Sequence, residues 1–162
     1  MHVASAYDRP LVVRWLLSAG ADAAAVCKES CGAVHMAAHA GSVGSLSLLA
    51  HTAAGHTTSS PCGVLRCTAL QLAVEEEQLA AVNTLLAAHA DVSSRDVDGC
   101  SALHWAAEIG NTDVVAALLR AGAVVDCQDH AGWTPMHLAV WNEHYKVCIA
   151  YHASSMCCRT KA

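Results

Sequence analysis

Short apolar stretches alternate with turn-forming residues along this chain, and the apolar positions recur with the period of an amphipathic helix. Residues Ala102–Glu108 form one such stretch, with Ser101 placed to cap the helix and Gly110 near its end. A second stretch covers Asp113–Arg120, and Gly122 follows it as a left-handed terminus. The apolar stripe of this second stretch consists of Val114, Val115, Leu118 and Leu119. The pattern predicts a unit of helix, turn, helix and extended loop.

This unit recurs at a near-constant spacing. Four stretches align with one another: Ser30–Ala38, Arg66–Val74, Gly99–Ala107 and Gly132–Val140. Their equivalent polar residues are His35, Gln71, His104 and His137, which are separated by 36, 33 and 33 positions, and His2 lies 33 positions before the first of them. A period of this length indicates a solenoid in which each unit packs on its neighbours.

The repeated core resembles the ankyrin repeat, whose motif is Thr-Pro-Leu-His-x-Ala, and Ala19-Gly-Ala-Asp22 echoes the family's Leu-Leu-x-x-Gly-Ala-Asp. The resemblance implies an all-α ankyrin-repeat solenoid. We expect about five repeats, over residues 1–26, 27–62, 63–95, 96–128 and 129–153, with incomplete first and last repeats and a disordered tail over 154–162. Because neither end carries a polar cap, we also expect the chain to be part of a longer array, with neighbours missing on at least the N-terminal side.

Departures from the motif indicate weak points. Gly32-Ala33 replaces Thr-Pro, so the first helix of the second repeat lacks a hydroxyl cap. Gln71 replaces the usual histidine in the third repeat. Residues 53–63 lack apolar periodicity and are rich in turn formers, so we expect them to form an exposed, mobile finger.

Composition narrows the classes of function. The net charge is −5 and there are only nine Lys and Arg, which argues against nucleic-acid binding. No apolar run reaches the roughly 18 residues of a membrane span. Nine Cys, an odd number at irregular spacing, favour reduced thiols over a disulfide framework. We expect a cytoplasmic monomeric module, with the nucleus as the alternative, that neither enters a membrane nor binds nucleic acid.

The sequence also shows few residue patterns that are typical of catalysis or metal binding. Cys27, Cys31, His35 and His39 recur every four residues, but the repeat register places the two cysteines in a loop. The resemblance instead assigns His35, His104 and His137 a structural role, hydrogen-bonding the turn and tying adjacent repeats together. Nucleophile elbows, phosphate loops and zinc-protease helices are missing from the sequence, so we predict no enzyme activity, no cofactor and no metal.

The binding face follows from the family register, in which hairpin tips and the exposed side of each first helix line a concave groove. The predicted partner-binding residues are Tyr7, His39, Val64, Leu65, Glu75, Glu76, Val97, Asp98, Glu108, His130, Trp133, Trp141 and Asn142. Lys28, Glu29, Ile109 and Ala131 flank them. We expect Trp15 and Trp105 to pack between repeats instead.

An acidic flank and an aromatic flank would suit a basic, apolar peptide. The sequence therefore predicts a non-catalytic scaffold or adaptor that binds a protein or peptide. One alternative is the substrate-recruiting part of a larger enzyme, such as a palmitoyltransferase, a kinase or a ubiquitin-ligase adaptor. The other is an array that only spaces other domains.

Overall fold

Ten helices in five antiparallel pairs make up the part of the chain that the computed structural model describes, residues 1–28, 30–52, 61–63 and 66–151. They are α1 (His2–Ala6), α2 (Pro10–Ser18), α3 (Ala33–His39), α4 (Val43–Thr52), α5 (Ala69–Glu75), α6 (Leu79–Ala87), α7 (Ala102–Ile109), α8 (Thr112–Arg120), α9 (Pro135–Trp141) and α10 (145–151). Within these ranges the extended backbone is limited to isolated bridges, Val26 with Gly32, Cys62 with Cys67 and Arg95 with Ser101. The predicted all-α class is confirmed.

The helices form two layers. The first helices stack in the order α1, α3, α5, α7 and α9, and the second helices α2, α4, α6 and α8 stack beside them. Each first helix from α3 onward contributes a fully buried alanine at its centre, which lets neighbouring helices approach closely: Ala37, Ala73, Ala106 and Ala139. Each later second helix contributes a large buried residue, namely Leu49, Leu85, Leu118 and Tyr151. The resulting core runs along the whole array.

A side chain from each of the first helices α1, α5 and α7 ties its repeat to the next hairpin. In α7, the Ser101 N–H donates to His104 Nδ1 at 3.1 Å, so the ring proton lies on Nε2, which donates to the Trp133 carbonyl at 3.2 Å. Gln71 makes the same two bonds with its amide: Oε1 accepts from Thr68 N–H at 2.8 Å and Nε2 donates to the Cys100 carbonyl at 2.9 Å. The histidine-to-glutamine exchange therefore preserves the tie.

Helix caps follow the sequence with one difference. Thr68 and Thr134 each accept a backbone N–H through their hydroxyls, and Gly32 begins α3 without a side chain, as expected. Ser101 is the N-cap residue of α7, but its hydroxyl lies 2.9 Å from His104 Nδ1 and accepts no helix N–H. The backbone of Gly122 is left-handed, with φ of 91°, as predicted.

Two expectations about burial were wrong. Trp15 is 67% exposed, because the outer side of α2 has no neighbouring repeat in the structure. Trp105 does pack against the core as predicted, and its Nε1–H donates to Asp96 Oδ2 at 2.9 Å. Cys62 falls in the stretch expected to form an exposed finger, yet it is 4% exposed, because a bridge to Cys67 fixes it in a hairpin. Pro61 and Gly63 of that stretch are exposed as expected, while residues 53–60 and the predicted tail lie outside the described residues.

Candidate interaction groove

The C-terminal ends of the first helices present the predicted binding residues side by side. His39, Glu75 and Trp141 are the last residues of α3, α5 and α9, and Glu108 lies one residue before the end of α7. All four are exposed. Because equivalent residues of stacked repeats share one face, they form a line along the array.

In α5, α7 and α9, the hairpin residue just before the helix N-cap lies beside this line. Trp133 contacts Trp141 edge to face, with ring centroids 5.5 Å apart and planes at 89°. One repeat earlier, the negative charge of Glu108 contributes to raising the pKa of the Cys100 thiol, and Glu75 contributes to raising the pKa of Cys67 in the same way. These three pairs define what we call the groove strip: Cys67 with Glu75, Cys100 with Glu108, and Trp133 with Trp141.

The middle of the groove strip is negatively charged. Burial, followed by neighbouring carboxylates of which Asp96 is the largest contributor, raises the pKa of the Cys67 thiol to about 11. Burial, followed by Asp96, Asp129, Asp98 and Glu108, raises the pKa of Cys100 to about 12. Glu75 and Glu108 are among the carboxylates that raise them. Burial is the largest cause of both shifts; the further contribution of the carboxylates, whose negative charge disfavours the thiolate, indicates a field that would favour a cationic group at this place.

The C-terminal section of the groove strip is aromatic. Trp133 is half-buried, while Trp141 is 74% exposed. His137 adds a third ring, with its centroid 6.2 Å from that of Trp133. Its Nδ1 accepts from Thr134 N–H at 3.0 Å, but Nε2 has no partner among the described residues, so only half of its predicted tie is present. Spacing alone, with Trp133, His137 and Trp141 four residues apart, could have indicated this cluster.

The other predicted residues separate into three groups. Tyr7, Glu76, Val97, Asp98 and His130 are exposed, as are the flanking Lys28 and Ala131. His39 and Glu76 approach at 3.5 Å, and the His130 N–H donates to the Asp98 carbonyl at 2.9 Å, which links neighbouring repeats along the strip. Asn142 is exposed, but its Nδ2 donates to the Glu108 carbonyl at 3.3 Å, so it also serves as a tie. Val64, Leu65 and Glu29 lie outside the described residues.

Sequence reasoning missed two aspartates beneath the strip. Asp96 Oδ1 accepts the N–H groups of Asp98 at 3.0 Å and Cys100 at 2.8 Å, and so holds its hairpin closed. Asp129 makes the equivalent bonds to Ala131 and Trp133. Their spacing of 33 residues was the available signal.

One cluster has the residue types of a nucleophile and its base. Cys127 Sγ lies 3.8 Å from His104 Nδ1 and 3.6 Å from Ser101 Oγ, beside a cavity of about 200 Å³. Both ring nitrogens of His104 are already used, one by Ser101 N–H and the other by the Trp133 carbonyl, so neither is free to take a proton. Burial also lowers the pKa of His104, which keeps the ring neutral. We therefore interpret the cluster as structural. Its cavity is smaller than the roughly 300 Å³ of a small-molecule site.

Across the described ranges, His, Cys, Asp and Glu side chains do not group in threes or more at positions that could hold a metal ion. The helices of that same part of the chain are too short and too polar to cross a bilayer.

Comparison with known proteins identifies a family. No curated protein matches the chain. A family model described as "Ankyrin repeats (3 copies)" matches residues 1–96 and again residues 70–150. Ankyrin repeats are generally protein–protein interaction modules, and the family is typically non-catalytic. Since the two matches together cover nearly the whole chain, this protein belongs to the ankyrin repeat family.

Proposed function

We propose that the chain is a scaffold or adaptor that binds a basic, partly apolar segment of another protein along the groove strip, without catalysis of its own. The observation that carries the proposal is that a negative field around Cys67 and Cys100 lies one repeat before exposed Trp141, which contacts half-buried Trp133 edge to face. Lys and Arg complement the first feature. An apolar or aromatic anchor complements the second.

Charge and aromatic contact make different contributions to binding. The acidic section around Glu75 and Glu108 steers a cationic segment and sets its orientation, an effect that salt weakens. Trp141 supplies contact area and is held in place by its edge-to-face contact with Trp133. Tryptophan is among the residues that dominate binding energy at interfaces. We assign this function to the cytoplasm, with the nucleus as the alternative; the seven described cysteines are not joined in disulfides, which fits a reducing compartment.

A displayed library of random peptides tests the proposal. We expect selected peptides to be enriched in Lys and Arg with at least one large apolar residue. Trp141→Ala should weaken binding by at least about tenfold, since a hot-spot residue contributes 2 kcal/mol or more. Thermal unfolding should change little, because Trp141 is 74% exposed.

Trp15→Ala is the matched control, because Trp15 is 67% exposed but lies on α2, away from the groove strip. The affinity of the Trp15→Ala variant for the selected peptides should equal that of the unaltered chain. Glu75→Gln with Glu108→Gln should weaken binding and reduce its salt dependence. Selection of acidic peptides, or equal losses in the Trp15 and Trp141 variants, would contradict the proposal.

Affinity capture from a native lysate extends the test to natural partners. The chain and a Trp133→Ala/Trp141→Ala variant serve as baits, and mass spectrometry identifies the bound proteins. A partner that only the unaltered chain captures supports binding at the groove strip. Identical sets from both baits would instead favour a spacer.

A further inference from the structure

Three aromatic rings meet at the C-terminal end of the groove strip with their planes nearly perpendicular. The Trp133 ring lies at 89° to the Trp141 ring, with centroids 5.5 Å apart, and at 82° to the His137 ring, with centroids 6.2 Å apart. Helix α9 supplies His137 and Trp141, while the preceding hairpin supplies Trp133. Where two rings stand at right angles, the corner between them presents two π faces to one bound group.

A cavity of about 200 Å³ opens beside two of these rings. Its lining consists of Ala131, Gly132, Trp133 and His137. A Cβ added at Gly132 would meet no atom within 4 Å, so no other element packs against the loop at this position. A cavity of this volume is too small for a drug-sized ligand and suits the tip of a single side chain.

The carboxylate of Asp129 lies in the loop that forms this cavity. Its Oδ1 accepts the N–H groups of Ala131 at 2.9 Å and Trp133 at 2.8 Å. Among the residues that the structure describes, no lysine or arginine forms an ion pair with Asp129, so its negative charge remains available to a ligand. The cavity therefore combines ring faces with a carboxylate, and both attract a cation.

The hydrogen-bonding groups of the rings distinguish between kinds of cation. His137 Nδ1 already accepts the Thr134 N–H at 3.0 Å, so the ring proton lies on Nε2, and an indole N–H only donates. The rings therefore offer no acceptor to the three N–H groups of a lysine ammonium, which is strongly hydrated and would lose its water here. A quaternary ammonium has no N–H group to satisfy, and its methyl groups contact ring faces directly.

We propose that this corner, formed by Trp133, His137, Trp141 and the loop 129–132, binds a trimethylammonium group, presented as a trimethylated lysine of the basic segment that the groove strip binds. The assignment of the ligand to that segment rests on the proposed function. Trimethyllysine is cationic and has an apolar tip, so one side chain supplies both the positive charge and the apolar anchor that the strip complements. Asp129 supplies the counter-charge.

The indole signals in a two-dimensional heteronuclear NMR spectrum of the full chain test the site itself. The probes are Nα-acetyl-Nε-trimethyllysine amide, the unmethylated lysine compound and an uncharged isostere with a tert-butyl tip. The trimethylated probe should shift the signals of Trp133 and Trp141, which Trp133→Phe and Trp141→Phe identify. The signal of Trp15 should stay unchanged, because Trp15 lies on α2. Equal shifts with the isostere, or no shift of either signal, would overturn the proposal.

Two substitutions separate charge from shape. Asp129→Asn removes the negative charge but keeps an oxygen that can accept the two loop N–H groups, so the hairpin should stay closed while the affinity for the trimethylated probe falls. Ala131→Leu fills the cavity from an exposed position without altering a ring, and should also weaken binding. Asp113→Asn is the control, because it removes the same charge from the exposed first turn of α8. Equal losses in the Asp113 and Asp129 variants would contradict a local site.

Peptides from the display selection test the source of the ligand. A selected peptide with trimethyllysine in place of one lysine should bind more tightly than its parent, and about five- to thirtyfold more tightly than the same peptide with the uncharged isostere. Trp133→Ala should abolish both differences. Equal binding of the lysine and trimethyllysine peptides would overturn this inference and leave the proposed function standing.

Two further outcomes concern the partner segment. If the small trimethylated probe binds but no basic peptide does, the proposed function fails, and the assignment of the ligand to a partner segment fails with it. Choline that binds as tightly as the trimethylated peptide would also overturn that assignment, because the ligand would then be a free quaternary ammonium compound.

Discussion

The tie made by Gln71 gives the sharpest test of how the repeats hold together. The side chain is 1% exposed and makes two hydrogen bonds, accepting from Thr68 N–H at 2.8 Å and donating to the Cys100 carbonyl at 2.9 Å. Gln71→Ala leaves both backbone groups buried without these partners. Each such group costs about 1–3 kcal/mol, so we expect a total loss of about 2–6 kcal/mol. A protein of this size has about 5–15 kcal/mol of stability in all.

The matched substitution is Gln71→His. The imidazole of His104 makes the equivalent bonds at 3.1 and 3.2 Å, so a histidine at position 71 should restore them and cost less than about 1.5 kcal/mol, the value of a single hydrogen bond. Urea unfolding followed by helical circular dichroism measures both variants. With a slope of about 2 kcal/mol/M, Gln71→Ala should lower the midpoint by about 1–3 M. Equal losses for alanine and histidine would refute the reasoning, since the tie would then not be the source of the stability.

Three further predictions follow from burial and backbone geometry. The pKa of His104 is lowered in the folded chain, so the unfolded chain binds the ring proton more readily. The stability that the neutral ring contributes is therefore complete above about pH 6.5 and is lost as the pH falls through the folded pKa. His104→Gln should flatten that part of a plot of unfolding free energy against pH, and an unchanged slope would contradict this prediction. Gly110→Ala should cost at least about 1 kcal/mol in urea unfolding, because φ is 86° and the new Cβ would lie 2.5 Å from His144 Nδ1; a neutral result would contradict the close approach. Tyr151→Phe should be neutral or stabilising by calorimetry, because the buried hydroxyl lacks a hydrogen-bond partner in the described structure, and a clear fall in Tm would reveal one.

The sequence predicted the fold well because each repeat carries its own local signals. The apolar stripe and Gly122 placed α8 and its end to within one residue. Periodicity and capping are properties of a few adjacent residues, so a single chain suffices to detect them.

The errors arose where a residue's surroundings come from another repeat. Trp15 was expected to pack because apolar residues on second helices usually face a neighbour, but its side of α2 is open. Cys62 was assigned to an exposed finger from local composition, whereas its burial comes from the hairpin and from Cys31. Gln71 was recognised as a departure, but only its contact with Cys100 reveals that an amide reproduces the bonds of an imidazole.

The candidate site was predicted in outline and not in detail. Register alone placed Glu75, Glu108 and Trp141 on one face. It could not give the contact between Trp133 and Trp141, because that depends on how a hairpin folds against its own helix. It also missed Asp96, whose carboxylate contributes to the negative field from below the surface.

The tryptophans are distributed unevenly along the array, and this makes intrinsic fluorescence a local probe. All four lie in the first, fourth and fifth repeats: Trp15, Trp105, Trp133 and Trp141. Trp15 is water-exposed in the folded chain, so unfolding should alter its emission little. The emission change therefore reports the C-terminal two repeats, while circular dichroism reports every helix. If fluorescence is lost at a lower urea concentration than helicity, the array unravels from its aromatic end before its centre melts.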